Sequence, residues 1–159
     1  MAVRLRCGPA EHMEGNGSRE TTKVDTFLDS LLESADQAEH LTVEVAKENR
    51  FPEEALLRLG MAVRESVVNA VVHGNRYNAR KKVHLVISNS PDQVTVTVTD
   101  EGQGFDVSSL PNPLADEHLL EQSGRGIFLI RAFVDEFHIR RLAPFGTEVK
   151  LVKYRQTVS

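Results

Sequence analysis

The segment RESVVNAVVHGN, residues 64–75, constrains the fold of this 159-residue chain more than any other stretch. In it Glu65, Asn69 and His73 recur at intervals of four, and the residues between them are almost all valine or alanine. Because a helix turns by about 100° per residue, this spacing places the three polar side chains on one stripe of a helix. Neither alternate set of residues is apolar throughout, which argues against a strand. A carboxylate, an amide and an imidazole in line on an otherwise apolar helix indicate a surface that faces a ligand.

The helix that carries this stripe is predicted to span residues 52–73. A proline at its start pre-sets the first turn, and the two glutamates that follow interact favourably with the positive end of the helix dipole. We expect Gly74 to close the helix in the left-handed conformation. A second amphipathic helix is predicted over residues 34–51, with Ser34 as its N-cap and Gln37 completing a capping box.

The other segments predict grouped strands and helices rather than a strict alternation. KKVHLVIS and QVTVTVTD are predicted strands joined by a proline-containing turn, and FHIRRLA and TEVKLVKY are predicted to form a hairpin after the helix GIFLIRAFVDEF. The segment TTKVDTFLDSLLE is compatible with either a short strand or the start of a helix. Grouped elements of this kind predict an α+β fold, a two-layer sandwich with a mixed sheet of four or more strands and helices on one face.

The domain organisation follows from the distribution of glycine, proline and apolar residues. Residues 1–20 contain glycines and scattered charges without a period, so we expect a flexible tail there and a single domain over residues 21–155. Residues 107–122 contain two prolines and few large apolar side chains, which predicts a lid that is mobile without its ligand.

The composition narrows the classes of partner. A net charge of −4 and a pI of about 5.9 do not provide the clustered basic surface of a nucleic-acid-binding protein. No apolar segment approaches the ~20 residues of a membrane span. Cys7 stands alone in the sequence, so neither an intrachain disulfide nor a cysteine metal cage can form. We therefore expect a cytoplasmic protein that binds neither nucleic acid nor membranes directly.

Two glycine-rich segments lie on either side of the predicted lid. In TDEGQGFD, Asp100, Gly102 and Gly104 follow the end of a strand, where glycine allows the backbone to approach a ligand closely. A tight turn is the alternative, and the segment matches neither the Walker A nor the Rossmann pattern. In SGRGIFLI, two glycines flank Arg125 at a helix N-terminus, where free N–H groups can bind phosphate. A simple loop-to-helix connection is the alternative there.

The polar stripe also admits a structural interpretation, in which its members are exposed or satisfied within the core. Binding of zinc by the stripe is disfavoured, because Asn69 is a poor zinc ligand and no cysteine is near. Oxygen atoms of Asn69 and Glu65 suit a hard cation such as Mg²⁺ instead. Since a buried, unpaired carboxylate is costly, we expect Glu65 to have a partner or a chemical task.

In their order and spacing, these motifs resemble those of the GHKL or Bergerat-fold ATPases, which include gyrase, the heat-shock chaperone, histidine kinases and MutL. ESVVNAVVHGN is similar to the N-box, DEGQGF to the first glycine box, SGRGIFLI to the second and GTEVKL to the last strand. The resemblance extends from Ser34 to Val152. The compact size and the segment GMAVRESVVNAVVHGN are most similar to the anti-sigma-factor serine kinases of the bacterial stress-response and sporulation type.

The resemblance implies a role for each matching residue. Asn69 would hold the Mg²⁺ ion that bridges the phosphates, and Glu65 would orient or deprotonate the attacking hydroxyl. Asp100 would accept a hydrogen bond from the adenine amino group, and Thr147 would support Asp100 through a hydroxyl or a water. The further positions implied to contact the nucleotide are His73, Gly102, Gly104, Gly124, Arg125 and Gly126.

The resemblance further implies a serine/threonine protein kinase that uses ATP and Mg²⁺. Such a kinase phosphorylates an anti-anti-sigma protein of the STAS type and sequesters a sigma factor, and a homodimer is compatible with it. The sequence departs from many relatives at Val72, where they carry Lys or Arg. The corresponding phosphate contact is therefore missing, or Arg76 or Arg125 supplies it.

Two other functions compete with this one. The first is a non-catalytic or weakly catalytic ATP-binding regulatory module of a partner-switching or two-component system, and a carboxylate at the position of Glu65 argues against a module that only binds. The second is the catalytic domain of a histidine kinase. That class requires a phosphorylatable histidine beside an acid and followed by proline, and none of the histidines outside the stripe has this context.

Overall fold

The computed structural model describes residues 21–103 and 126–155. These residues form five strands and three α-helices. The predicted tail, the whole of the predicted lid, and Cys7 lie outside them. In chain order the elements are β1 (Thr21–Asp29), α1 (Glu33–Lys47), α2 (Glu53–Asn69), β2 (Lys82–Asn89), β3 (Gln93–Asp100), α3 (Gly126–Phe133), β4 (Glu136–Arg141) and β5 (Thr147–Tyr154).

The five strands form one sheet in the order β1-β2-β3-β5-β4. The predicted α+β architecture is confirmed, but every strand pairing among the described residues is antiparallel, so the prediction of a mixed sheet is wrong. Hairpins join β2 to β3 and β4 to β5, and a hairpin pairs its strands antiparallel. Two helices rather than one separate β1 from β2, so the chain re-enters the sheet in the opposite direction. The register places Asp100 of β3 opposite Thr147 of β5.

The core lies between one face of the sheet and the helices. α2 is the central helix and contacts both α1 and α3. Its valines have a low helix propensity, but full burial of a valine stabilises the fold by roughly 1.5–3 kcal/mol, which outweighs that cost. None of the described helices combines the length and the apolar character needed to cross a membrane. The residues of α2, β2 and β3 that are at most 1% exposed are Leu59, Ala62, Val63, Val67, Val83, Leu85, Ile87, Val94, Val96 and Val98.

The helix starts differ from the sequence prediction in two places. Ser34 does not cap α1 and no capping box with Gln37 forms, because the helix begins one residue earlier and the Ser34 hydroxyl instead donates a hydrogen bond of 2.7 Å to the carbonyl of Asp29. Pro52 is the residue before α2 rather than its first helical residue, with φ −56° and ψ 148°. The segment TTKVDTFLDSLLE, which is compatible with a strand or a helix start, contains both, since β1 ends at Asp29 and α1 begins at Glu33.

The end of α2 is also different from the prediction. Gly74 does not close the helix with a positive φ, because the chain passes after Asn69 into a π-helical turn over Ala70–Gly74. The left-handed residues come after this turn, at Arg76 (φ 50°) and Tyr77 (φ 58°). A π-helical turn inside or at the end of an α-helix is frequently part of a functional site.

Candidate functional site

A cleft opens between α2, α3 and the sheet. Four of the predicted site residues, Asn69, His73, Asp100 and Thr147, line it together. The rest of its wall is mostly apolar, and such a cleft with a few convergent polar groups suits a largely apolar ligand fixed by specific hydrogen bonds. The apolar lining residues are Ala70, Val98, Ile127, Ile130, Phe137, Ile139 and Val149.

Asp100 is a buried carboxylate at the end of β3, with 8% of its surface exposed. Its Oδ1 accepts a hydrogen bond of 2.8 Å from the backbone N–H of Gly102. Burial raises the pKa of Asp100, while backbone hydrogen bonds from Gly102 and Thr147 and the charge of Lys81 oppose this rise. The carboxylate is therefore held in one orientation in the wall of a largely apolar cleft.

The glycines around Asp100 are required by close backbone contacts. A Cβ atom on Gly74 would lie 2.4 Å from both Cγ and Oδ2 of Asp100. A Cβ atom on Gly102 would lie 2.1 Å from the carbonyl oxygen of Gly74. Gly146, with φ 107°, donates a backbone hydrogen bond of 2.7 Å to the carbonyl of Gly102. The sequence indicated Gly102 through its approach to a ligand, but it did not indicate this packing against Gly74.

The packing of Gly102 leads to a prediction about stability. Gly102→Ala is expected to destabilise the fold by about 1–3 kcal/mol, because its methyl group would overlap a backbone carbonyl that cannot move away cheaply. Gly60→Ala in α2 is the matched control, since it meets only side chains and replaces glycine by a residue of about 1 kcal/mol better helix propensity. Denaturant unfolding of both variants measures the difference. Equal effects of the two substitutions would show that the contact between residues 74 and 102 is not tight.

Asn75 joins three segments of the chain and is 1% exposed. Its Nδ2 donates hydrogen bonds of 3.0 Å to the Ser30 hydroxyl and to the Lys82 carbonyl. Its Oδ1 accepts a hydrogen bond of 2.8 Å from the backbone N–H of Glu101. Asn75 thus ties the chain that follows β3 to the start of β2 and to the end of β1. Asn75 is the last residue of the segment that resembles the N-box, but the sequence pattern predicts no role for it.

Glu65 lies one helical turn before Asn69 and does not line the cleft. It is half-buried, and within residues 21–103 and 126–155 its carboxylate makes no hydrogen bond or ion pair. The expected structural partner is thus not among the described residues. Since a carboxylate that loses water without gaining a partner is costly, its position next to Asn69 favours a chemical task.

The donor atoms of the stripe suit a cation that is shared with a bound molecule. The described part of the chain contains no group of three or more His, Cys, Asp or Glu side chains that could hold a metal alone. Mg²⁺ usually keeps several waters and binds one or two protein ligands together with substrate phosphates. The amide of Asn69 and the carboxylate of Glu65 fit that kind of site.

The remaining predicted residues are only partly described. Gly126 is the first residue of α3, as the sequence predicted for a helix start. Gly104, Gly124 and Arg125 lie outside the described residues, so their contacts stay predictions. His73 is exposed at the edge of the cleft, and Val72 is half-buried beside it.

Comparisons with known proteins identify the family. The family described as histidine kinase-like ATPase domain matches residues 28–153. The anti-sigma F factors of Bacillus thuringiensis and Bacillus mycoides are each 34% identical to this chain over 103 residues, which are 64% of this chain and 70% of each relative.

A solved structure shows the same fold. The RsbU and RsbW domains of Rv1364c from Mycobacterium tuberculosis match with a TM-score of 0.59 and 20% identity, over 83% of this chain and 32% of that chain. At this identity the similarity shows the fold alone. The motifs, the cleft and the sequence relatives agree, and the chain belongs to the histidine kinase-like ATPase family, in the group that contains the anti-sigma F factors.

Proposed function

We propose that this protein is an ATP-dependent serine/threonine kinase that acts as an anti-sigma factor. The observation that carries the proposal is the meeting of Asn69, Asp100 and Thr147 in one cleft of a domain whose relatives are anti-sigma F factors. The proposed reaction transfers the γ-phosphoryl group of ATP to a hydroxyl of an antagonist protein.

The part of the cleft at Asp100 is proposed to bind adenine. Its apolar walls accommodate a flat ring, and the carboxylate of Asp100 accepts a hydrogen bond from the exocyclic amino group. Thr147 lies opposite Asp100 in the strand register and is buried, and its hydroxyl is proposed to support this part of the pocket. A carboxylate acceptor at this point selects adenine over a base that presents a carbonyl there.

The part of the cleft at Asn69 is proposed to carry the chemistry. Asn69 would hold Mg²⁺, which would supply the neutralisation of phosphate charge that phosphoryl transfer requires. Glu65, one turn away, orients the attacking hydroxyl and accepts its proton. Gly104, Gly124, Arg125 and Gly126 are proposed to contact the nucleotide from the loop and the start of α3.

The proposed partners are a sigma factor, which the protein sequesters, and an anti-anti-sigma protein of the STAS type, which it phosphorylates. Val72 favours one alternative function, because it replaces the cation that many relatives carry beside the phosphates. That candidate is a weakly catalytic ATP-binding regulator that switches partners with its nucleotide state. Under either candidate function we place this protein in the cytoplasm, because a chain with a single cysteine suits a reducing compartment.

Nucleotide binding is the first test of the proposal. We expect ATP and ADP to bind with dissociation constants in the micromolar range, and Mg²⁺ to strengthen binding because it screens the phosphate charge near Glu65. Isothermal titration calorimetry with and without Mg²⁺ measures both effects. No heat with either nucleotide under either condition would rule out the proposed function and its weakly catalytic alternative together.

A further inference from the structure

The interval of four that relates Glu65, Asn69 and His73 continues toward the start of α2, where it reaches Met61 and then Leu57. These two residues therefore lie on the same side of α2 as Glu65, about 6 and 12 Å before it along the helix axis. Both are large and apolar, yet 59% of Leu57 and 37% of Met61 is exposed. We call Leu57 and Met61 the apolar section of the stripe. The stripe thus runs from this exposed section, past Glu65, to the residues that line the cleft.

The apolar section lies on the side of α2 that neither neighbouring helix covers. On one flank of α2, Gly60 packs against α1, where an added Cβ atom would lie 3.0 Å from Cγ2 of Val43. On the other flank, the guanidinium of Arg58 lies over the ring of Phe133 in α3, 5.9 Å from its centroid. The side between these flanks is usually polar in a surface helix. Its two neighbouring apolar side chains therefore offer area that a bound molecule could remove from water.

The charge around the apolar section is negative. α1 and α2 together carry seven acidic and three basic side chains. Two of the three basic residues are next to the apolar section in sequence, and both are already paired. Arg58 forms an ion pair of 2.6 Å with Glu54. Arg64 pairs with Asp36 and Glu39 of α1. A partner that covers this surface is therefore expected to combine an apolar centre with a basic rim.

From the continuous stripe we infer that Leu57 and Met61 dock the phosphoryl acceptor, a protein that presents an apolar side chain and basic groups close to its serine or threonine. The inference rests on the proposed function, in which Glu65 receives the acceptor hydroxyl. Met61 precedes Glu65 by about 6 Å along the helix, and an extended chain rises by about 3.3 Å per residue. The apolar side chain of an extended acceptor segment is therefore expected about two residues from the hydroxyl, or about four if it contacts Leu57.

The position of Glu65 favours an acceptor over other occupants of the apolar section. Its half-buried carboxylate has no hydrogen bond or ion pair within the described residues, and it lies directly beyond Met61 in the stripe. A sequestered protein would have no need of this alignment. A second copy of the chain would bring its own acidic helices against those of the first, which is unfavourable in a symmetric interface. An acceptor needs both the apolar contact and the carboxylate, and the stripe places them in one line.

The test measures steady-state transfer from γ-labelled ATP to the STAS-type protein of the same organism that the wild type labels. Leu57→Gln and Met61→Gln keep side-chain length and helix propensity but remove the apolar contact. We expect each to raise the KM for the acceptor about tenfold and to leave kcat and ATP affinity near wild type, because the lost contact holds the acceptor equally before and during transfer. Met61→Leu should keep the wild-type KM. Added salt should raise the KM of the wild type, because it screens the acidic rim.

Phe27→Gln is the matched control, because Phe27 is as exposed as Leu57, at 59%, but lies on β1, where it stacks on His84. Its KM for the acceptor should equal that of the wild type.

Four results would overturn the inference. They are an unchanged KM in both variants of the apolar section, an equal loss of ATP affinity, a loss of sigma-factor binding with the KM unchanged, and conversion of a dimeric wild type to a monomer. If the wild type labels an acceptor and the variants keep its KM, this inference fails alone. If the wild type labels no STAS-type protein of the organism, the proposed function fails.

Discussion

Glu65→Gln is expected to slow phosphoryl transfer by about 10²–10⁴-fold, which is the usual contribution of a positioned general base. Glutamine has nearly the same shape but cannot accept the proton of the attacking hydroxyl. ATP affinity should stay within a few-fold of the wild type, because Glu65 lies outside the cleft proposed to bind the base. Single-turnover transfer and ATP titration, measured on the same preparations, separate these two effects.

Glu53→Gln provides a control on the same helix, since Glu53 lies in the first turn of α2, far along the helix from Asn69. It should leave both transfer and affinity close to wild type. If Glu65→Gln transferred phosphate at the wild-type rate, the polar stripe would be structural and the kinase proposal would lose its base. A matching loss of ATP affinity would instead assign Glu65 to nucleotide or metal binding.

Asp100→Asn is expected to weaken nucleotide binding by about 10- to 150-fold, because a hydrogen bond to a charged group contributes roughly 1.5–3 kcal/mol. The amide of the variant also presents a donor toward the adenine amino group in one of its two orientations. Calorimetric titration with ADP and ATP measures the loss. Asp92→Asn, at an exposed residue in the turn between β2 and β3, is the matched control and should leave affinity unchanged.

Stability should respond to Asp100→Asn in the opposite direction. Burial raises the pKa of Asp100 above its ordinary value of 3.8, so the folded state holds this proton more tightly than the unfolded state. Protonation of Asp100 stabilises the fold fully when the pH is below the ordinary pKa of 3.8. This stabilisation is lost as the pH rises through the raised pKa of Asp100 in the folded protein. At neutral pH the wild type therefore bears the cost of a buried charge that the variant lacks.

Denaturant unfolding measured from below pH 3.8 up to neutral pH checks the sign of this change in stability. The wild type should lose stability on raising the pH through the window, whereas Asp100→Asn should show a smaller change there. A variant that binds ATP normally, or one that is clearly less stable than the wild type at neutral pH, would contradict the role of Asp100 as a carboxylate kept for ligand binding.

The elements with strong local patterns were predictable from the sequence. The alternation of valine and threonine in QVTVTVTD predicts β3, and the period of the long apolar segment predicts α2, because each pattern reports burial of one face. Features that depend on contacts between distant residues were not. The capping box at Ser34 fails because its hydroxyl finds the carbonyl at the end of β1, and no local pattern announces that β1 stops there.

The candidate site divides in the same way. The spacing of Asn69 within an apolar helix and the position of Asp100 at a strand end are local, and the motif resemblance added Thr147. The role of Asn75 depends on residues 30, 82 and 101, which only the folded chain brings together. The one local signal for Asn75 is that a polar residue directly follows Gly74, the residue after the last member of the stripe. The π-helical turn had no signal, which is why the closing conformation of Gly74 was predicted wrongly.

The kinase proposal is tested most directly by following the label of γ-labelled ATP with Mg²⁺ and each STAS-type protein of the same organism. The proposal predicts that the wild type moves the label onto a serine or threonine of one such protein, and that Glu65→Gln does so far more slowly. Label that appears only as inorganic phosphate, or that is retained on a histidine of this chain, would contradict it.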